Sequence, residues 1–140
     1  MKHATPFVIV LVALAATASF TSAAPTTWKI DPTHTEVGFE VRHFFSKVHG
    51  VFHDVDATIV FDEADPAATR IDAIVKVASV DTGNEKRDGH LKSADFFNAE
   101  KDSTLAFKSS KTVKAGKNKF KITGDLTMRG VTKTVTFDAE

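Results

Sequence analysis

The strongest constraint on the fold is a period-two alternation of apolar and polar residues that recurs along most of the chain. Val37, Phe39 and Val41 alternate with polar residues, and the pattern returns in 51–61, 71–78, 104–110, 120–128 and 131–139. Successive side chains of a strand point to opposite faces of a sheet, so this alternation is typical of half-buried strands. Short turns join most of these six segments, while residues 44–50 are expected to form a loop. We therefore predict an all-β chain whose antiparallel sheet curls toward a barrel.

The alternation stops in residues 80–97, where charged residues crowd beside a pair of phenylalanines. Asn84 is placed to cap a short helix, and Leu91, Ala94 and Phe97 are spaced to share one helical face. We predict a short helical excursion near residues 84–97. Such a polar segment in an all-β chain is where a ligand head group or a lid is expected. The plainer alternative is a solvated connection whose apolar residues plug one end of the core.

The first residues resemble a cleaved export signal. Lys2 and His3 precede an apolar run over residues 7–16, and small residues follow over 17–24. We predict a signal peptide over residues 1–23, cut after Ala23, and a periplasmic or secreted domain over residues 24–140. The apolar run is too short to span a bilayer, so we expect no stable membrane insertion.

Charge and cysteine content exclude several classes of protein. The chain has 18 basic and 18 acidic residues, and loss of residues 1–23 removes one lysine and no acid, leaving a net charge of about −1. A near-neutral balance gives no support to nucleic acid or an anionic membrane as a partner. The chain has no cysteine, which excludes a disulfide framework.

No catalytic or metal-binding motif stands out. His49 and His53 are four residues apart but in a turn-to-strand context, and the chain contains no HExxH, GxSxG or glycine-rich phosphate loop. His34 and His43 are expected to be hydrogen-bonded structural residues. We therefore predict no catalytic residue, no metal and no cofactor. A small exported hydrolase or isomerase with an unrecognised His/Asp site remains an alternative.

Five segments carry a resemblance to a known family: Trp28–Thr35, Val37–His43, Val48–Phe52, Ser79–Phe97 and Gly124–Lys133. Together they resemble the YceI-like family of exported lipid- or polyisoprenoid-binding proteins, and Ser79–Phe97 is the longest match. The chain departs from the family pattern at residues 101–103, where an aromatic residue and a proline are usual, and at Thr134, where proline is usual.

The resemblance implies a lipocalin-like antiparallel β-barrel that holds a long isoprenoid or other long-chain lipid and performs no catalysis. Family members continue past the position of Glu140, so we expect an incomplete barrel of about six to seven strands that lacks the last strands. The final alternating segment, Val131–Ala139, would then expose an unpaired edge, which favours pairing with a second copy as a homodimer.

The inward positions are the expected cavity wall. From periodicity alone a filled core is the simpler interpretation, which would make the chain a structural or interaction domain. The resemblance favours a cavity instead. A polar head group would prefer cationic donors at the mouth, and the nearest candidates are Arg87, His90 and Lys92. The predicted cavity residues are Val37, Phe39, Val41, Val55, Ile59, Val75, Val77, Phe107, Ile122 and Leu126.

Overall fold

The computed structural model describes residues 24–43, 45–62 and 64–140, without the side chain of His43. The predicted signal peptide lies outside these residues. The described residues form nine strands and one α-helix, with 3₁₀ turns at Pro66–Ala68 and Val77–Ser79. The elements are β1 (Thr26–Lys29), β2 (Val37–His43), β3 (Ser46–Phe52), β4 (Val55–Phe61), β5 (Arg70–Lys76), β6 (Val80–Asp81), α1 (Glu85–Lys92), β7 (Thr104–Lys114), β8 (Phe120–Met128) and β9 (Val131–Ala139).

The strands form two antiparallel sheets. The large sheet has the order β1-β4-β5-β7-β8-β9, and the small sheet has the order β2-β3-β6. Both β1 and β9 are edge strands, so the large sheet is not closed. The prediction of an antiparallel all-β fold with one helical excursion is confirmed. Among the residues that the structure describes, no helix is both long enough and apolar enough to cross a membrane.

The predicted loop over residues 44–50 is wrong, and so is the single strand over 51–61. Ser46–Phe52 is strand β3, which pairs with β2 and places Gly50 opposite Phe39 and Val48 opposite Val41. The chain then leaves the small sheet at His53 and enters the large sheet as β4. The alternation was obscured because Gly50 occupies an inward position and Val51 an outward one.

The helical excursion begins where the sequence predicts. The Asn84 side chain accepts a hydrogen bond from the Arg87 N–H at 3.0 Å, which caps the helix. Helix α1 ends at Lys92, and the Ser93 hydroxyl donates to the His90 carbonyl at 2.7 Å. Ala94 therefore lies beyond the helix, and the prediction that it shares a helical face with Leu91 is wrong.

Gly124 permits a close approach within the large sheet. The pairing of β7 with β8 shifts register between Ser109 and Lys111, which face this part of β8. A Cβ atom at Gly124 would lie 2.6 Å from the Cζ atom of Phe107. Only glycine leaves room here for the Phe107 ring and for the backbone of Lys108 and Ser109.

The packed core does not cover the whole inner face of the large sheet. Phe52, Val55, Val75 and Val80 form a buried cluster. The inner face of the large sheet, which carries Val55 and Val75, continues along β4, β7, β8 and β9 beyond this cluster. Along this stretch Ala57 and Ile122 are buried, whereas Phe137 is 48% exposed. The fold therefore leaves part of its apolar inner face outside the packed core.

Candidate ligand-binding site

A pocket opens between the small sheet and helix α1. We name it the α1 pocket; its volume is about 290 Å³. Its lining residues are Phe39, Val41, Val48, Arg87, His90, Leu91 and Phe96. The β2–β3 register puts the first three on one face of the small sheet. Gly50 lies opposite Phe39 on this face, where any Cβ atom would collide with the phenyl ring. The sheet therefore supplies an apolar wall, and the helix supplies the polar groups.

Arg87 is held at the pocket by its contacts with Thr82. Its Nε donates to the Thr82 Oγ1 atom at 2.7 Å and its Nη2 donates to the Thr82 carbonyl at 2.8 Å. The Thr82 hydroxyl in turn donates to the Asp88 carboxylate at 2.5 Å, and the Thr82 N–H donates to the same oxygen at 3.0 Å. Asp88 is 9% exposed. This network fixes the first turn of α1 against β6 and orients the guanidinium group.

His90 forms the polar rim on the next turn of the helix. Its Nε2 atom lies 3.1 Å from a carboxylate oxygen of Asp95. Its ring contacts the Phe96 ring edge-on, with centroids 4.9 Å apart. Phe96 is 48% exposed and forms the outer wall of the pocket, whereas the next residue, Phe97, packs against the core cluster.

The structure separates the three predicted head-group residues. Arg87 and His90 are three positions apart on α1, and both line the α1 pocket. Lys92 instead borders a depression with Ser93 and Glu100. Only two of the three cations therefore share the pocket.

The predicted cavity residues divide among three environments. Phe39 and Val41 line the α1 pocket. Ile59 and Ile122 line a second cavity of about 250 Å³, which we name the far pocket. The remaining six lie in the core or on the inner face. Val55 and Val75 belong to the buried cluster, Val37 packs against it, Val77 is fully buried, and Phe107 and Leu126 are half-buried on the inner face between β5 and β9.

A larger depression of about 530 Å³ lies across β5, β7 and β8. It is bordered by Asp72, Lys108 and Asp125, which are paired across the three strands. These three residues are exposed, so the depression is less suited to an apolar ligand than the α1 pocket.

Comparison with known proteins shows the family of this chain. Residues 28–140 match the YceI-like domain family. The chain belongs to the YceI-like family. It is 42% identical over 122 residues to a UPF0312 protein of Photorhabdus laumondii and 43% identical over 122 residues to protein YceI of Escherichia coli O157:H7. Each alignment covers 85% of this chain and 63% of the relative, so this chain spans less than two thirds of their length.

Solved structures support the same assignment. BcnA of Burkholderia cenocepacia superposes with a TM-score of 0.75 at 29% identity, covering 78% of this chain and 69% of BcnA. The YceI protein of Campylobacter jejuni gives a TM-score of 0.63 at 42% identity, covering 78% of this chain and 64% of that protein. Sequence identity and structural superposition therefore both relate this chain to YceI-like proteins.

Sequence reasoning missed three lining residues of this YceI-like domain. Val48 was missed because strand β3 was not predicted. Leu91 and Phe96 were considered only as a plug for the core, yet both line the α1 pocket. Leu91 lies four positions after Arg87 on α1, a spacing that places both side chains on one helical face and could have identified Leu91.

His34 makes hydrogen bonds, as predicted, although its side chain is exposed. His34 Nδ1 lies 2.8 Å from an Asp31 carboxylate oxygen, and the Thr33 hydroxyl donates to the other oxygen at 2.6 Å. The hydrogen bonds from Thr33 and then His34 lower the pKa of Asp31 below its ordinary value. The matching prediction for His43 concerns a side chain outside the described residues.

His49 on β3 and His53, which follows β3, each pair with one acid. His49 lies 3.4 Å from Glu40, and His53 lies 3.3 Å from Asp81. The N–H of Gly83, followed by the contact with His53, lowers the pKa of Asp81. Within the part of the chain that the structure describes, no group of three or more His, Cys, Asp or Glu residues could hold a metal ion.

Proposed function

We propose that this YceI-like domain binds a long apolar molecule, an isoprenoid or other long-chain lipid, against its inner face. The observation that carries the proposal is the apolar surface left outside the packed core. Val41 of the small sheet is 50% exposed, and Phe137 of the large sheet is 48% exposed. A ligand that covered this surface would remove apolar area from water on both partners, which is the main favourable term in such binding.

The α1 pocket is the proposed place for the polar end of the ligand. Arg87 is held by Thr82, and His90 faces the same space. A hydroxyl, carbonyl or acidic head group could accept hydrogen bonds there while its tail leaves along the apolar wall of Phe39 and Val41. Lys92 is left out of this proposal because it borders a different depression.

The proposed tail path ends toward the far pocket. Phe107 packs edge-on against Phe137, with centroids 5.1 Å apart, and Ile59 and Ile122 lie farther along the same inner face. At about 25 cal/mol per Å², burial of roughly 300 Å² of tail contributes about 7 kcal/mol before ordering costs are subtracted. The length of the ligand's apolar tail should therefore contribute most of the affinity. Its head group should decide which of two ligands with equal tails binds more tightly.

We further propose that the domain acts outside the cytoplasm and does not transform its ligand. The charged start, short apolar run and small-residue stretch of residues 1–24 support export. The proposed polar groups are oriented to hold a head group, since Arg87 acts through hydrogen bonds and carries a permanent charge.

Mass spectrometry of an organic extract tests the proposal. Protein purified without detergent should release a prenyl or other long-chain lipid in near-stoichiometric amount. The delipidated protein should then bind geranylgeraniol saturably and release it unchanged. A clean extract together with no saturable binding of geranylgeraniol or oleic acid, in protein that is folded by circular dichroism, would contradict the proposal. Recovery of a chemically altered ligand would instead favour the enzymatic alternative.

A further inference from the structure

Arg129 links the large sheet to the outer wall of the α1 pocket. It lies in the turn between β8 and β9, and its Nη1 donates to the Phe96 carbonyl at 2.9 Å. Its Nη2 donates to the Ala94 carbonyl at 2.7 Å. The two acceptors belong to the segment that follows α1, which we name the wall loop (residues 93–99). The planar guanidinium group of one side chain therefore donates two hydrogen bonds to this loop.

The backbone conformation of the turn is a second, independent observation about Arg129. Its φ angle is 52°, and that of the next residue, Gly130, is 70°. Two successive residues with positive φ are typical of a type I′ hairpin turn, which favours Asn-Gly. A long side chain is uncommon in the left-handed region at the first of these positions. Asparagine would suit the turn better, so the contacts of the guanidinium group account for arginine here.

The wall loop has internal hydrogen bonds and is anchored to the core by Phe97, whose ring lies 5.6 Å from that of Phe52, but its residues 94–96 are exposed. The Phe97 N–H donates to the Leu91 carbonyl at 2.9 Å, and the Asn98 N–H donates to the Ser93 carbonyl at 2.8 Å. Ala94 and Phe96 are both exposed. Segments with few buried contacts open locally at low free energy, so a tie to a neighbouring sheet has a large effect on them.

We propose that Arg129 is a positioning residue that holds the wall loop closed over the α1 pocket. By fixing Phe96, it also fixes the ring that packs on His90 and the loop that carries Asp95, the partner of His90. Its effect on ligand binding rests on the proposed function, because it acts by keeping the bound molecule from leaving. Its effect on the loop does not require a ligand.

The test uses Arg129→Asn, which keeps a residue suited to the turn and removes the guanidinium group. The matched control is Lys117→Asn, which removes an exposed cation from the turn between β7 and β8. Amide hydrogen exchange is measured by NMR at Phe97, Asn98 and Ala99 in the ligand-free protein. Thermal unfolding and the dissociation rate of a fluorescent geranylgeranyl probe are measured alongside.

In Arg129→Asn we expect the three loop amides to exchange at least about tenfold faster, since hydrogen bonds to a charged donor are lost. The helix amide of Asp88 should keep its protection, the unfolding temperature should stay close to that of the parent, and the probe should dissociate several-fold faster. Lys117→Asn should match the parent in all of these.

Loop amides that exchange at the parental rate in Arg129→Asn would overturn the proposal. Faster exchange spread over the whole sheet together with a lower unfolding temperature would also overturn it, because that is the result of a merely structural role. If the parent binds no probe, the proposed function fails, and the exchange measurement still decides the role of Arg129 in the loop.

Discussion

The Asp88 network offers the sharpest test of how the polar side of the pocket is built. Asp88 is buried, and its carboxylate accepts both the N–H and the hydroxyl of Thr82. Asp88→Ala removes the one oxygen that accepts both hydrogen bonds and leaves the Thr82 N–H and hydroxyl without this acceptor. A hydrogen bond to a charged group contributes about 1.5–3 kcal/mol. Because Thr82 is only half-buried and water can replace part of the loss, we expect the free energy of unfolding to fall by about 2–4 kcal/mol.

Urea unfolding followed by circular dichroism measures this loss, and the thermal midpoint should fall by on the order of 10 °C. The control is Asp95→Ala, which removes an exposed carboxylate that pairs with His90 and should cost at most about 0.5 kcal/mol. A cycle with Thr82→Val should give a coupling of about 1–3 kcal/mol between residues 82 and 88. If Asp88→Ala unfolds within about 0.5 kcal/mol of the parent, the network does not anchor α1.

Three further predictions concern stability. Thr69 is 5% exposed and its hydroxyl has no hydrogen-bond partner among the described residues, so Thr69→Val should raise the free energy of unfolding by about 1 kcal/mol in urea melts; a decrease would contradict this. Gly50→Ala places a methyl group against the Phe39 ring and should destabilise the domain by about 1–3 kcal/mol; unchanged stability would show that the ring can move freely. The Gly83 N–H lowers the pKa of Asp81 from its ordinary 3.8, so its stabilisation is present above that pH and lost as the pH falls through the folded pKa. Asp81→Asn should therefore weaken the fall of the free energy of unfolding at acidic pH. An unchanged pH dependence would show that Asp81 does not contribute to this fall.

The sequence predicted the elements whose local pattern is strong. Alternation predicted β2, β5, β8 and β9, and the first half of β7, because each has apolar residues at most inward positions; farther along β7 the inward positions carry the buried polar residues Ser109 and Thr112. Strand β3 was missed because Gly50 stands at an inward position, where its role is to make room for a ring on the neighbouring strand. That requirement comes from the partner strand, and no local pattern expresses it.

The site was only partly predictable for a related reason. Core and cavity wall use the same apolar residues, so periodicity placed Val75 and Phe39 in one set although one lies in the packed core and the other lines a pocket. Helical spacing could have separated Lys92 from Arg87, because five positions place them on different sides of α1. The hydrogen bonds from Arg129 to the wall loop reach Phe96 and Ala94, which are 33 and 35 positions away in the sequence. Only the fold brings these residues together.

The central claim is that apolar ligands bind against the inward side of the small sheet, and one titration tests it most directly. Val48→Trp adds an indole ring inside the α1 pocket, whereas Val51→Trp adds the same ring on the opposite face of strand β3. Delipidated parent and both variants are titrated with geranylgeraniol after circular dichroism has shown that each is folded. We expect Val48→Trp to bind at least about tenfold more weakly, a loss of about 1.4 kcal/mol, and Val51→Trp to bind within about twofold of the parent. Equal affinity of the parent and a folded Val48→Trp variant would contradict the claim.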